Sequence, residues 1–350
     1  MQAQQTRKPP LGVIFDTSLD GNIDQILALA MLFGFEGARQ IRVPSLSTSR
    51  FNLRTARFLD LVARFYGGEQ AGDFVVNRNP LPIGMSAAGK QTTDVSPMLN
   101  AVLLKNDAAG KPVYVRTLPD LNDTADPVAL IRNALSAQVD QNAAVIVSGP
   151  PTNLLSVVAL PDGREWVTKK ARTLVIAGGR FDDGPADRVL RSDAAGFRKL
   201  LAEWPSRIVM AGTELNGVLP FPGKVLADGI AWTPNHPVVD AYRALTPAPD
   251  ELPSRALAAV LHAVTPEDYF QLSGPGTINV MDDGRTRFAA SPSGRHHYLI
   301  ARPDQKERVL DTYVKMVTAQ PPPRPGRGAP RPAAGRGGAA VTLYARSHLC

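Results

Sequence analysis

Short apolar runs that stop at Gly, Ser or Asp alternate along this chain with longer stretches whose apolar residues recur every three or four positions. The runs at 13–15, 144–147, 174–176 and 208–210 have the length and unbroken apolar character of strands buried on both faces. Between them, residues 23–33, 54–66, 125–137, 152–159, 194–203 and 257–263 carry apolar positions at helical spacing. This alternation predicts an α/β fold, an open and mostly parallel Rossmann-like sheet with helices on both faces. Residues 277–288 depart from it and read as a late β-hairpin around an Asp-Gly turn. From 320 onwards Pro, Gly and Arg dominate, too little apolar matter to bury. The reading is therefore a domain over 11–318 and a flexible tail over 319–350.

Charge changes the picture less than its total suggests. The formal net charge is +7, but five arginines and no acid fall in residues 320–350, which leaves +2 for everything else. A nearly neutral body argues against a nucleic-acid partner. No apolar run approaches the roughly 20 residues that span a bilayer, and the first residues lack the apolar stretch of a signal peptide. The chain reads as soluble with its compartment open, and a leader removed earlier stays an option. One cysteine, Cys350, excludes an internal disulfide framework and a thiolate metal cluster.

Candidate chemistry concentrates in the first strand-to-helix turn. Asp16 ends the apolar run, and Asp20 and Asp24 follow before the helix. In an open α/β sheet the carboxyl ends of the strands face the ligand crevice, so three acids there suggest a divalent cation or a sugar. A cap at Asp20 or Asp24 and a turn at Asp16 is the plainer alternative. It accounts for one acid more easily than for three. The histidines show no metal-ligand spacing and read as packing or surface residues, with His262 the one placed on a late helix near the candidate crevice.

Further strand ends carry polar, Gly-rich turns: Ser148-Gly149-Pro150-Pro151-Thr152-Asn153, Ala177-Gly178-Gly179-Arg180, Gly212-Thr213-Glu214-Leu215-Asn216, and Ser254-Arg255-Ala256 opening a helix. Taken in order over about residues 11–300, these motifs resemble the nucleoside hydrolases, the inosine/uridine-preferring N-ribohydrolases. The resemblance implies a calcium-dependent site that cleaves the N-glycosidic bond of a ribonucleoside. There an Asp accepts the proton of the attacking water, and the ion binds ribose hydroxyls. By position, Asp16 and Asp20 become the candidate catalytic acids. Asp16, Asp20, Asp24 and the backbone carbonyl of Thr152 become the candidate metal ligands. Asp24, Asn153, Asp187, Glu214 and Arg255 become the candidate substrate contacts.

The sequence departs from the family pattern where ligands are expected. Ser18 and Gln25 stand where the pattern has Asp, Val189 where it has Asn, and Arg255-Ala256 where it has Trp-Asp or His-Asp. Calcium sites tune affinity through ligand charge, so the calcium site is expected to be weakened. Arg255 paired with Asp16 or Asp24 is an alternative to the ion. Three functions follow: a weak nucleoside hydrolase, an inactive ribosyl- or polyol-binding protein of the same fold, or a scaffold acting through its basic tail. The expected ligand is a small nucleoside or ribosyl compound, without nucleic acid or membrane. The family commonly forms homo-oligomers, an option the sequence leaves open.

Overall fold

A computed structural model describes residues 9–19, 21–67, 81–87, 91–93, 96–115, 117–266 and 268–322. The strands are β1 Leu11–Thr17, β2 Ile41–Thr48, β3 Ile83–Met85, β4 Ala143–Ser148, β5 Ala171–Ala177, β6 Ile208–Ala211, β7 Phe221–Pro222, β8 Glu251–Leu252, β9 Phe270–Leu272, β10 Gly276–Val280, β11 Thr286–Ala290 and β12 His296–Ala301. The helices are α1 Ile23–Gly37, α2 Leu53–Tyr66, α3 Pro97–Leu103, α4 Pro127–Ser136, α5 Thr152–Ala159, α6 Gly163–Lys170, α7 Arg188–Ser192, α8 Ala194–Glu203, α9 Leu215–Val218, α10 Lys224–Ala227, α11 Pro237–Arg243, α12 Arg255–Val264 and α13 Lys306–Val317.

The main sheet runs β11-β10-β12-β6-β5-β4-β1-β2-β3, with β9 against β12. The neighbours from β3 through β1 and β4 to β6 and β12 are all parallel. Strand order reverses at β1, which lies between β2 and β4, and the carboxyl ends at such a switch point frame a crevice. Asp16 and Thr17 stand opposite Ser47 and Thr48 on one side and Val147 and Ser148 on the other. The fold thus places the first acid between the carboxyl ends of both neighbouring strands.

Alternation along β1 sends Val13 and Phe15 into one core and Ile14 into the other, as the period of two requires. The larger core lies under α1, α2, α11, α12 and α13, and the second under α4, α5 and α8. Helix α1 is buried from Ile23 through Phe35, and α12 from Arg255 through Ala263. Helices apolar on nearly every side belong in an interior, and these two pack on each other beneath the sheet.

The late hairpin is present, as β10 and β11, and its turn uses Gly284 at φ +83°, a conformation glycine adopts without strain. Thr286 ties this hairpin to the crevice wall. Its hydroxyl accepts from Arg180 N at 2.9 Å and donates to the Arg180 carbonyl. Among the described residues no helix is long and apolar enough to cross a membrane. Most of the tail, from residue 323, lies outside the described residues.

Candidate functional site

The candidate acids fall into two clusters. Asp16 is fully buried at the end of β1. Its Oδ1 accepts from Ser47 Oγ at 2.6 Å and from Asn153 Nδ2 at 2.9 Å. Its Oδ2 is buried without a hydrogen-bond partner among the described residues. Burial pushes this carboxyl up to about 6, against the two donors that favour the charge. Asn153 also donates to the Thr48 carbonyl at 3.2 Å, so this candidate substrate contact is turned inwards and fastens α5 to the ends of β1 and β2.

The first turn is drawn tightly against the β4–α5 loop. A Cβ on Gly149 would stand 2.8 Å from Ser18 N and 2.9 Å from Ser18 Cβ, so only glycine permits this approach. Leu19 then takes φ +45°, a left-handed conformation that costs a non-glycine residue energy and that marks functional turns. Asp20 lies outside the described residues.

The second cluster forms around Arg255, the first residue of α12. Asn216 Oδ1 accepts from both Ser254 N and Arg255 N at 2.9 Å, satisfying amides that a helix start leaves open. The Arg255 side chain is 6% exposed, with Nε 3.6 Å from Asp24 Oδ2 and an η nitrogen in contact with Asp187 Oδ2. Asp24 and Asp187 are themselves 2% and 0% exposed in their side chains. Asp187 Oδ1 accepts from Leu190 N at 2.9 Å and caps α7. Of the two acids expected as partners for Arg255, the structure therefore supplies Asp24 and adds Asp187. Asp16 bonds to Ser47 and Asn153 instead. The Asp187 pairing joins positions 68 residues apart, and no local sequence pattern signals it.

A cavity of about 230 Å³ opens here, lined by Asn22, Asp24, Asp187, Thr213, Asn216 and Arg255, among others. It shares Arg180, Pro185 and Ala186 with a neighbour of about 600 Å³ that Phe181, Phe288 and Tyr298 also line. Phe181 stacks on Tyr298 with centroids 4.2 Å apart. Glu214 is half-buried and accepts from Phe181 N at 3.3 Å, and burial raises its carboxyl above the ordinary range. Phe181 follows the Gly178-Gly179-Arg180 turn, whereas Phe288 on β11 and Tyr298 on β12 come from strands that no candidate motif marks.

A hard divalent cation needs several oxygen donors converging on one point. The described donors do not converge in that way. Gln25 presents its amide nitrogen to the Ser148 carbonyl and to Ser18 Oγ. The Thr152 carbonyl accepts from Ser156 Oγ at 3.0 Å, Ala256 brings no donor, and Asp24 and Asp187 meet on a guanidinium. Among the described residues no three His, Cys, Asp or Glu side chains are grouped to hold an ion. His262 stands apart from all of this. It packs near Arg172 and Arg207, which adjoin the starts of β5 and β6 at the opposite edge of the sheet.

No family model and no curated protein sequence matches the chain. Solved structures do. A plant nucleoside hydrolase, PpNRh1, superposes with TM-score 0.62 at 18% identity, covering 89% of this chain and all of that one. A purine-preferring ribonucleoside hydrolase from Gardnerella vaginalis gives 0.64 at 15%, covering 88% and 98%. The type III effector protein XopQ, complexed with adenosine diphosphate ribose, gives 0.61 at 13%, covering 89% and 94%. The chain has the nucleoside hydrolase fold.

Proposed function

We propose that this chain is a ribosyl-binding protein of the nucleoside hydrolase fold, whose ligand sits at the carboxyl edge of the sheet beside Asp24, Asp187 and Arg255. The observation that carries this reading is the 230 Å³ cavity at that edge. It is smaller than the cavities that take drug-sized ligands, roughly 300 Å³ and upwards, and it mixes carboxylates, a threonine, two asparagines and three arginines. A sugar ring offers several hydroxyls that both donate and accept, and such a lining answers them. The adjoining larger cavity, with Phe181 and Phe288 in its wall, gives the remainder of a nucleoside or a related ribosyl compound an aromatic surface. The neighbours named above, two hydrolases of ribonucleosides and an effector holding adenosine diphosphate ribose, support a ligand of this class.

Hydrolysis of the N-glycosidic bond is the second reading, and one observation favours it. Asp16 is a buried carboxyl near pKa 6 with one oxygen unpartnered among the described residues, the properties of a proton acceptor at neutral pH. Against it, Asp16 is fully enclosed and the cavity beside Arg255 is lined by other residues. Calcium-assisted cleavage finds no support in the described donors.

Calorimetry with ribose, inosine and adenosine diphosphate ribose, run beside chromatography for released base, separates the two readings. Binding of at least one ligand without base release is the expected result. Release of base establishes hydrolysis, and failure of all three to bind removes the ribosyl reading.

A further inference from the structure

We infer that Arg255 is a resident counter-cation, occupying the space between Asp24 and Asp187 that a divalent ion would need and making the crevice indifferent to calcium. The ligand part of this inference rests on the ribosyl reading. The exclusion of calcium does not.

Two buried carboxylates that face one another repel, and taking them out of water demands a positive partner. Here the partner is covalently part of the chain. One nitrogen of the Arg255 fork faces Asp24 Oδ2 and another contacts Asp187 Oδ2, so a single planar group serves two acids from different elements. A lysine, with one nitrogen, lacks that reach.

Its backbone is equally fixed. Ser254 N and Arg255 N both donate to Asn216 Oδ1, and the helix that follows is buried from Arg255 through Ala263. The backbone at Arg255 therefore cannot shift without disturbing a central helix of the larger core. The Gln25 amide nitrogen donates to the Ser148 carbonyl and the Thr152 carbonyl accepts from Ser156 Oγ, so neither residue is turned wholly to the space beside Arg255.

The test is a calcium titration of the full chain, followed by calorimetry and by thermal melting, for the wild type, Arg255→Ala and Arg255→Lys. The wild type is expected to give no heat and no change in Tm up to ~1 mM calcium, where even weak extracellular calcium modules bind. Arg255→Ala uncovers the two acids and is expected to gain a calcium-dependent rise in Tm, since an ion held only by the folded state stabilises it. Arg255→Lys keeps one positive charge at the position, so it is expected to go on excluding calcium and serves where the alanine variant does not fold. Wild-type affinity for a ribosyl ligand is expected to be the same in calcium and in chelator, and to fall at least tenfold in Arg255→Ala without calcium.

Calcium binding by the wild type at or below that concentration overturns the inference. So does a folded Arg255→Ala that still ignores calcium, or an Arg255→Lys that binds it. If the wild type binds no ribosyl ligand while Arg255→Ala gains calcium, the ribosyl reading fails and the role of Arg255 stands.

Discussion

Asp16 is held ionised at neutral pH by two hydrogen bonds against the cost of complete burial, and its thermodynamic signature follows from that balance. Its folded pKa lies above the unfolded one, about 6 against 3.8, so between those values the native state binds the additional proton. Stability attributable to Asp16 accordingly declines as pH rises from 3.8 to about 6, by about 3 kcal/mol at most, and is flat above. Asp16→Asn removes the charge while Oδ1 still accepts from Ser47 and Asn153. At pH 7 the variant is expected to be more stable by about 1 kcal/mol, since the new amide leaves a buried donor to set against the relief. Urea melts at pH 4, 5, 6 and 7 check both the sign and the loss of pH dependence. At this scale the sequence marks Asp16 and Asp24 because they flank a strand end and a helix start, but only Asp24 lines the cavity while Asp16 is fully enclosed. Ser47 as the partner of Asp16, and the sharing of Arg255 between Asp24 and Asp187, are invisible there, because strand pairing and a contact between residues far apart in the chain create them.

Elements were legible where their periodicity was unbroken. The apolar runs of β1, β4, β5 and β6 and the spacing of α1, α2, α5, α8 and α12 appear in the sequence within a few residues of their structural bounds. Strand β2 does not, and the reason is Pro44. The register between β1 and β2 shifts between Gly12 and Ile14, opposite Arg42 and Ser45, so Pro44 falls at an irregularity where no ladder donor is required. Strand β12 opens on His296-His297 and borrows its burial from neighbours, which conceals it in the same way. Helix α13 is amphipathic and packs its buried residues, among them Val309, Tyr313 and Val317, onto α1. That packing hinges on Gly34, where an added Cβ would run into the backbone carbonyl of Met316. Gly34→Ala is therefore expected to destabilise the protein by about 2 kcal/mol or more, in spite of alanine's better helix propensity. Chemical denaturation of the variant measures it, and an unchanged midpoint would contradict the close approach of α1 and α13.

For the whole molecule, acid sensitivity is set by histidines distant from the crevice. Burial lowers His236 and His262 to about 3 and His296 to about 4, from 6.5. His236 Nδ1 accepts from Val238 N and His296 Nδ1 from Ile278 N, bonds that protonation would forfeit. As pH falls below 6.5 the unfolded chain takes protons that the native state refuses, so stability falls steadily towards pH 3. Three such groups, each with a wider window than Asp16, outweigh its opposite slope. The protein is expected to lose stability between pH 6.5 and 4, as circular dichroism melts will show. His262 Nδ1 has no hydrogen-bond partner among the described residues, so His262→Leu is expected to lower the pH of half-unfolding while leaving ribosyl binding unchanged.

The contact between the first and last described helices also constrains how the chain is made. Helix α1 is apolar on nearly every side, and it emerges before the helices that cover it. Its cover arrives with α12 and then with residues 306–317, close to the end of the described chain. Until some 280 further residues have been added, part of the native cover of this segment is missing, a long-range closure of the kind that slows folding and exposes sticky intermediates. Nascent chains stopped before α13 should therefore depend on holding by chaperones, and the crevice, whose floor is the start of α1 and whose wall is the late hairpin, comes into being only after that hairpin has been made, more than 250 residues after α1 begins.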